Sequence, residues 1–298
     1  MGDKMNIIEN IIERAKKNKK KIVLPETMDI RILEAANKIV NEGIANIILI
    51  GDEKEILNLY PELDIKKIEI INPQSSNLTN DLIDKLYELR KEKGLTIEKT
   101  KELVLTDYMY YACMLVYIGY ADGAVSGACH STSNTLRPAL QILKTDPKIE
   151  LVSAFFLMEV PNCNYGYNGT FIFADSGLVE NPDADKLSEI AISSAKSFEQ
   201  LTGKQSKVAM LSYSTKGSAH SELTEKVVNA TNIAHEKAPE LQLDGELQLD
   251  AALIKDVAKL KANDSNVAGN ANILVFPDLN AGNIGYKLVQ RFGNANAY

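Results

Sequence analysis

Residues 212–218 form a loop rich in hydroxyl groups, and it carries the side chains of this sequence best suited to hold an anion. It follows the run Lys207 to Leu211 and precedes a helical pattern from Leu223 to Ala234. A buried strand that opens into such a loop and then into a helix directs N–H groups, hydroxyls and a cation toward one point. An ordinary strand–helix turn with serine caps would use the same residue types. The candidate anion ligands are Ser214, Thr215, Lys216 and Gly217.

A second junction of the same kind lies between Asp122 and Gln141. The short apolar run Ala124-Val125 leads into a hydroxyl-rich loop, and a helix follows with Pro138 predicted in or near its first turn, where a missing N–H costs least. Two such loops, each with one cation, indicate a substrate that carries several phosphates. The candidate ligands here are Ser131, Thr132, Ser133, Asn134 and Arg137.

Other chemistries are less well supported by the pattern. Neither loop has the Walker spacing, and no Gly-x-Gly-x-x-Gly opens a helix after a strand, which weakens the nucleotide and dinucleotide interpretations. The three cysteines and three histidines are dispersed, so neither a disulfide framework nor a zinc site is indicated. Cys129 and His130 are adjacent, but adjacent side chains rarely face each other and no acid is placed to orient the histidine. We therefore predict no cysteine nucleophile.

Length and composition bound the remaining possibilities. The chain has 298 residues, enough for two domains, with 45% hydrophobic and 24% charged residues. Its net charge of −7 argues against nucleic acid as the main partner. The first residues are charged and lack an apolar signal region, and no run is long enough to span a membrane. These features predict a cytoplasmic protein.

The elements that must position the polar loops alternate along the chain. Apolar strands separated by amphipathic helices predict an α/β fold with mostly parallel sheets covered on both faces. The pattern of predicted strands and helices changes near Pro147. This change predicts a first domain over residues 1–147 and a second over 148–298. In the second, Val152–Val160 and Thr170–Ala174 are predicted to be neighbouring strands.

Further polar residues follow predicted strands, and ligands of open α/β sheets bind at the carboxyl ends of strands. Asp175 follows one strand, and Asp278, Asn280 and Asn283 follow the last. We predict that these three groups line the site and that Asp175 orients them.

These junctions, in this order, resemble the phosphate acetyltransferases, and the resemblance covers nearly the whole chain. The segments that carry it are Leu24–Thr27, Tyr87–Lys91, Asp122–Gln141, Ser153–Phe156, Phe173–Pro182, Ala209–Ser218, Asp244–Asp250 and Phe276–Lys287.

The resemblance implies two three-layer αβα sandwich domains like those of isocitrate and isopropylmalate dehydrogenases, with an active-site cleft between them, and a homodimer. It implies acetyl transfer between coenzyme A and phosphate, by direct thiolate attack in a ternary complex, as part of acetate metabolism. Arg90 and Arg137 match arginines that bind coenzyme A in the family. No metal or resident cofactor is implied, and coenzyme A, phosphate and their acetyl derivatives are the expected small-molecule partners.

The family pattern continues past the position of Tyr298 with a Ser-Arg pair and an Asp that serve catalysis. Residues 1–147 are therefore expected to lack their C-terminal completion, and no catalytic residue is assigned. Three alternatives stay open: a phosphate butyryltransferase, a catalytically impaired homologue that binds coenzyme A or phosphate, and, with least support, a decarboxylating dehydrogenase of similar fold.

Overall fold

The computed structural model describes residues 7–147 and 151–298. The chain divides into two compact units, Met1–Thr145 and Asp146–Tyr298. Within the described residues, no helix combines the length and the apolar character needed to cross a membrane.

The first unit alternates strands and helices until a run of three helices interrupts the pattern. Lys91–Lys93 form a short 3-10 turn after α4. The elements are α1 (Ile7–Lys17), β1 (Lys21–Leu24), α2 (Ile30–Glu42), β2 (Asn46–Ile50), α3 (Glu53–Leu59), β3 (Ile68–Ile71), α4 (Thr79–Arg90), α5 (Ile97–Thr106), α6 (Tyr108–Tyr117), β4 (Gly123–Ala124) and α7 (Thr132–Ile142).

The sheet of the first unit has the strand order β3-β2-β1-β4, and all its neighbours are parallel. Alternate residues of β2 serve opposite faces: Ile48 joins a core formed with α4, α5 and α6, while Leu49 joins a core formed with α2 and α3. The unit is therefore a three-layer sandwich, and the carboxyl ends of β1 and β4 lie side by side.

The second unit begins with a hairpin and then resumes the alternation. Its elements are β5 (Phe155–Glu159), β6 (Thr170–Ala174), α8 (Ala184–Thr202), β7 (Val208–Leu211), α9 (Glu222–Lys237), β8 (Leu243–Leu247), α10 (Leu249–Leu253), α11 (Lys255–Lys261), β9 (Ile273–Val275), α12 (Leu279–Phe292) and β10 (Asn296–Ala297).

The second sheet has the order β10-β5-β6-β9-β7-β8. Its four strands from β6 to β8 are parallel, whereas β10 and β5 are antiparallel to their neighbours. The central strands β7 and β9 are buried throughout, as expected for strands covered on both faces. The predicted α/β class with mostly parallel sheets and the predicted β5–β6 hairpin are confirmed.

Helix boundaries show where local signals were sufficient and where they were not. Asp29 caps α2 and the left-handed Gly43 ends it, and both residue types favour these positions. The prediction for Pro138 is wrong: Ser131 caps α7, so Pro138 lies well inside the helix rather than in its first turn. The serine cap starts the helix at Thr132, earlier than the proline signal suggested, and Pro138 leaves one carbonyl of the preceding turn without its usual N–H donor.

Candidate active site

A buried glutamate organises the carboxyl end of the first sheet. Glu26 follows β1, and its side chain is 1% exposed. The loop after β4 wraps around its carboxylate: the N–H groups of Gly127 and Ala128 donate to Oε2 at 2.8 Å, and those of Cys129 and His130 donate to Oε1 at 3.0 Å. The loop takes this path because β1 pairs directly with β4. Gly127 permits it through a backbone φ of 116°.

Hydrogen bonds decide the charge of this carboxylate. Burial by itself raises the pKa of Glu26, but the bonds from Cys129, His130 and their neighbours outweigh burial and hold that pKa well below its usual range. Glu26 is therefore an anion at neutral pH. Its carboxylate, and not an external anion, accepts the N–H groups of this junction.

His130 is oriented by the same carboxylate. Its Nδ1 lies 2.7 Å from Oε1 of Glu26, and its side chain is 37% exposed. Because the carboxylate is ionised, Nδ1 must carry the proton, which makes Nε2 the basic nitrogen. The statement that no acid is placed to orient this histidine is wrong. The acid lies 104 residues upstream, just after the strand β1 that pairs in parallel with β4.

Cys129 lies beside this pair without the properties of a nucleophile. Its Sγ is 3.4 Å from Glu26 Oε1 and 3.7 Å from His130 Nδ1. Partial burial and the Glu26 carboxylate raise the pKa of Cys129, which keeps the thiol protonated at neutral pH. The three donor atoms are close enough to contact one cation. However, the oxygens of Glu26 already accept five N–H bonds, so this chemistry suits an oriented histidine better than a metal centre.

A cavity of about 830 Å³ opens beside His130 in the first unit. Thr27 and Met28, which follow β1, and Asn134, in the first turn of α7, line part of it. Its lining also includes four acidic residues, Asp52, Glu55, Glu102 and Asp107. The cavity therefore favours neutral or cationic groups over phosphates.

The hydroxyl-rich residues predicted to bind an anion lie at the exposed N-terminus of α7. Ser131 accepts the N–H of Asn134 at 3.3 Å as the helix cap, and Thr132, Ser133 and Asn134 are exposed in the first turn. Two other hydroxyls of this junction, on Ser126 and Thr135, are buried without a hydrogen-bond partner among the described residues.

The two candidate arginines belong to one neighbourhood. Burial and the charge of Asp107 raise the pKa of Tyr110, while the charges of Arg137 and Arg90 oppose that rise. Both guanidinium groups therefore lie within electrostatic reach of one phenol, whose hydroxyl donates to Gln141 Oε1 at 2.8 Å. Neither arginine has an ion-pair partner in the described part of the chain. That leaves two cations available to an anionic ligand.

In the second unit, the hydroxyl-rich loop surrounds an internal carboxylate. Glu246 is 2% exposed and accepts the Ser214 hydroxyl and the Gly217 N–H, both at 2.8 Å. Thr215 exchanges hydrogen bonds with Gln248, and Lys216 Nζ contacts Asp244. Several donors that the sequence offered to an external anion are thus bonded within the unit.

The last predicted cluster lies between α12 and the turn after β6. Asp278 caps α12 through the N–H of Ala281, and Asn283 donates to the Ser176 carbonyl at 3.3 Å. The Asp175 carboxylate accepts the backbone N–H groups of Ala154, Gly177 and Leu178, each at 2.8 Å. Asp175 therefore shapes its own turn, and its predicted role of orienting Asp278, Asn280 and Asn283 is not what these contacts provide. Asn280 is exposed in the first turn of α12.

Sequence reasoning did not select the buried carboxylates Glu26 and Glu246 as site residues, and it gave Asp175 a different role. Each of the three follows or lies in a strand and accepts N–H groups from a loop. The signal that could have found them was an acid within an apolar strand end, where a charge requires partners.

Three-layer units with polar groups at the carboxyl ends of parallel strands define an α/β protein of the kind that binds its ligand at strand ends. The family model described as phosphate acetyl/butaryl transferase matches residues 6–298. The chain therefore belongs to the phosphate acetyl/butaryl transferase family, and it is a transferase.

Individual relatives agree with that assignment. The chain is 59% identical to the phosphate acetyltransferase of Acetivibrio thermocellus over 99% of this chain and 88% of the relative. It is 45% identical to that of Bacillus subtilis over 93% of this chain and 84% of the relative. Among solved structures, the EutD phosphotransacetylase of Staphylococcus aureus aligns with a TM-score of 0.87 at 42% identity, over 98% of this chain and 87% of that one.

Proposed function

We propose that this protein transfers an acetyl group reversibly between coenzyme A and inorganic phosphate. The observation that carries the proposal is the similarity over nearly the full chain to a relative named phosphate acetyltransferase, at 59% identity. The neighbourhood of Arg90 and Arg137 supports it, since two guanidinium groups that have no carboxylate partner among the described residues suit the phosphates of coenzyme A.

The reaction is direct transfer in a ternary complex. Coenzyme A and acetyl phosphate bind together, the thiolate attacks the acetyl carbonyl carbon, and phosphate leaves with the electrons of the broken C–O bond. Holding both reactants in one site supplies the proximity that the reaction needs. Because phosphate leaves as an anion, no resident metal or cofactor is required. The raised pKa of Cys129 supports a route without an acyl-enzyme.

In unit 1, we assign the exposed first turn of α7 and the two arginines to the binding of anionic groups. The hydroxyls of Ser126 and Thr135, which are buried without a hydrogen-bond partner among the described residues, support a polar ligand at this junction. In unit 2, the atoms of Thr215, Lys216, Asn280 and Asn283 are not fully used by internal contacts, and we assign these groups to phosphate binding. Ser214 and Gly217 instead hold the loop in place through Glu246.

Release of free thiol from acetyl-CoA, followed with and without phosphate, tests the proposal. We expect thiol release that depends on phosphate. Release that is equally fast without phosphate would indicate hydrolysis and contradict the proposal.

A phosphate butyryltransferase is the second candidate, because the family description includes both acyl groups. One methylene in a pocket changes selectivity by only about 1–3 kcal/mol, so a parallel assay with butyryl-CoA decides between them. We expect a higher kcat/KM for acetyl-CoA. A higher kcat/KM for butyryl-CoA would identify the protein as a phosphate butyryltransferase.

We further propose that the protein is cytoplasmic and forms a homodimer. The composition supports the first statement, and the exposed apolar row of Ile284, Leu288 and Phe292 on α12 supports the second. Light scattering is expected to give a mass of about twice the 32.8 kDa of the chain, whereas the mass of one chain would contradict the dimer.

A further inference from the structure

We propose that a cavity at the amino-terminal edge of the second sheet binds a nucleoside phosphate. The cavity has a volume of about 640 Å³, within the range of about 300–1,000 Å³ that is usual for small-molecule sites. Gln205 and Lys207 line it just before β7, and Asn272 lines it just before β9. It therefore lies at the opposite end of β7 from Thr215 and Lys216, which follow the carboxyl end of that strand.

The charge of the cavity comes from lysines alone. Lys204 follows α8, Lys207 precedes β7 and Lys255 begins α11, and the described residues that line the cavity include no carboxylate. None of the three lysines has an ion-pair partner in the described part of the chain. The carboxylate next to Lys255 in sequence, Asp256, pairs with Lys259 at 3.3 Å. In a chain with a net charge of −7, this group of lysines creates a local positive potential that favours anions.

A second cavity of the same unit shows a different charge pattern. It has a volume of about 670 Å³, and its lysines, Lys216 and Lys261, are accompanied by Glu240, Asp244 and Asp264. Lys216 already contacts Asp244. An anion would meet carboxylates there, whereas the smaller cavity offers only cations and uncharged groups.

Two tyrosines supply the flat surface that a nucleoside base requires. Tyr165 and Tyr167 line the cavity on either side of Gly166, between β5 and β6. Gly166 has a backbone φ of 61°, and a Cβ on it would lie 2.4 Å from the ring of Phe171, so this turn requires glycine. Lys204 Nζ lies 5.3 Å from the centre of the Tyr167 ring, which places a cation and an aromatic face side by side.

Buried contacts fix the backbone that carries these side chains. Asn272 is 6% exposed, and its side chain accepts the Lys207 N–H at 2.8 Å and donates to the Gln205 carbonyl at 2.9 Å. Gly269 packs so closely against the start of α11 that a Cβ on it would lie 2.9 Å from Lys255 Cα. The backbone of the lining is therefore preformed, as in most small-molecule sites.

The combination of groups favours a nucleotide over simpler ligands. Lysines bind phosphate groups as point charges, and aromatic faces stack on bases of any type. The side-chain amides of Asn164 and Gln205 add donors and acceptors for the edge of a base. Inorganic phosphate would use the lysines only, and an uncharged aromatic ligand would leave them unused. The nucleotide end of coenzyme A has the same chemistry as a free nucleotide, so the experiment must separate these two sources.

Isothermal titration calorimetry with ADP, pyrophosphate and adenosine tests the proposal. We expect ADP to bind with a Kd at least about 10-fold lower than either of the other two, because pyrophosphate lacks the base and adenosine lacks the charge. Tyr165→Ala should raise the Kd for ADP about 5- to 100-fold, and Lys255→Ala should raise it about 10-fold. Lys259→Ala, an exposed change on the same helix, is the control and should leave the Kd unchanged.

Arg137→Ala distinguishes this cavity from the proposed coenzyme A site. An ADP affinity that persists in Arg137→Ala and falls in Lys255→Ala supports the cavity, and the reverse pattern would overturn it. Pyrophosphate that binds as tightly as ADP, or no binding of ADP, would also overturn the proposal. If Lys255→Ala weakens ADP alone, the ligand is a free nucleotide; if it weakens coenzyme A as well, the cavity takes the nucleotide end of coenzyme A. Calorimetry needs no turnover, so these results do not depend on acetyl transfer.

Discussion

At the scale of single residues, the first unit uses a carboxylate where an external anion was expected. Glu26 fills the ring of N–H groups after β4, and in the second unit Glu246 accepts one hydroxyl and one N–H group of the loop after β7. Loops of this composition attract anions, but the anion can be a side chain of the same protein. The substrate must then bind to groups that remain exposed, among which Arg137 has no ion-pair partner in the described part of the chain.

Replacing Arg137 tests that conclusion. We expect Arg137→Ala to raise KM for coenzyme A by about 10- to 100-fold, which corresponds to the roughly 1.5–3 kcal/mol of a charge-assisted hydrogen bond. Because Arg137 is exposed, the free energy of unfolding should change by less than about 0.5 kcal/mol. Arg291→Ala, an exposed change on α12, is the control. Steady-state kinetics with an unchanged KM would remove Arg137 from the coenzyme A site.

The buried charge of Glu26 predicts how stability depends on pH. Its folded-state pKa lies below the unfolded value, so its contribution is complete above the unfolded pKa and is lost as pH falls toward the folded one. Glu26→Gln should cost about 2–4 kcal/mol at neutral pH, because four N–H groups lose a charged acceptor.

Urea unfolding at two pH values measures this contribution. The difference between the unmodified protein and Glu26→Gln should shrink by about 1 kcal/mol between pH 5.5 and pH 3.5. Glu62→Gln, an exposed change, should show little difference at either pH. A difference for Glu26→Gln that is constant, or that grows toward acid, would contradict the depressed pKa.

At the scale of elements, α12 depends on close contact with the turn after β6. A Cβ on Gly282 would lie 2.4 Å from the Asp175 carbonyl oxygen and 2.9 Å from the Ser176 hydroxyl. Only glycine lets the first turn of α12 approach this backbone, and that approach places Asn280 and Asn283.

Gly282→Ala should therefore lower the free energy of unfolding by about 1–3 kcal/mol, despite the better helix propensity of alanine. Lys287→Ala, an exposed change in the same helix, should stay within about 0.5 kcal/mol. Denaturant unfolding of both variants checks the contact, and a Gly282→Ala variant as stable as the control would rule it out.

The sequence predicted the helices and strands better than it predicted the contacts between them. The order of strands and helices follows from local signals, such as the Asp29 cap and the Gly43 stop of α2. The pairing of Glu26 with His130 did not follow from them, since it requires knowing that β1 and β4 are neighbours in the sheet. Strand order is a property of long-range packing, which short patterns do not encode.

At the scale of the whole molecule, the chain carries a net charge of −7 and is proposed to act on highly anionic substrates. Local cations must overcome that overall field. Arg137 and Lys216 could be selected from the sequence as cations in hydroxyl-rich segments that follow strands, whereas Arg90 was selected through the family resemblance. The sequence could not show that Lys216 contacts Asp244 while no carboxylate neutralises the two arginines within the described residues.

The most direct test of the account is to follow the phosphorus NMR spectrum of inorganic phosphate mixed with acetyl-CoA and the purified protein. The account predicts an acyl phosphate signal that grows in proportion to the free thiol and disappears when excess coenzyme A is added. Thiol release that leaves inorganic phosphate unchanged would mean that water is the acceptor, and it would contradict the proposed transfer.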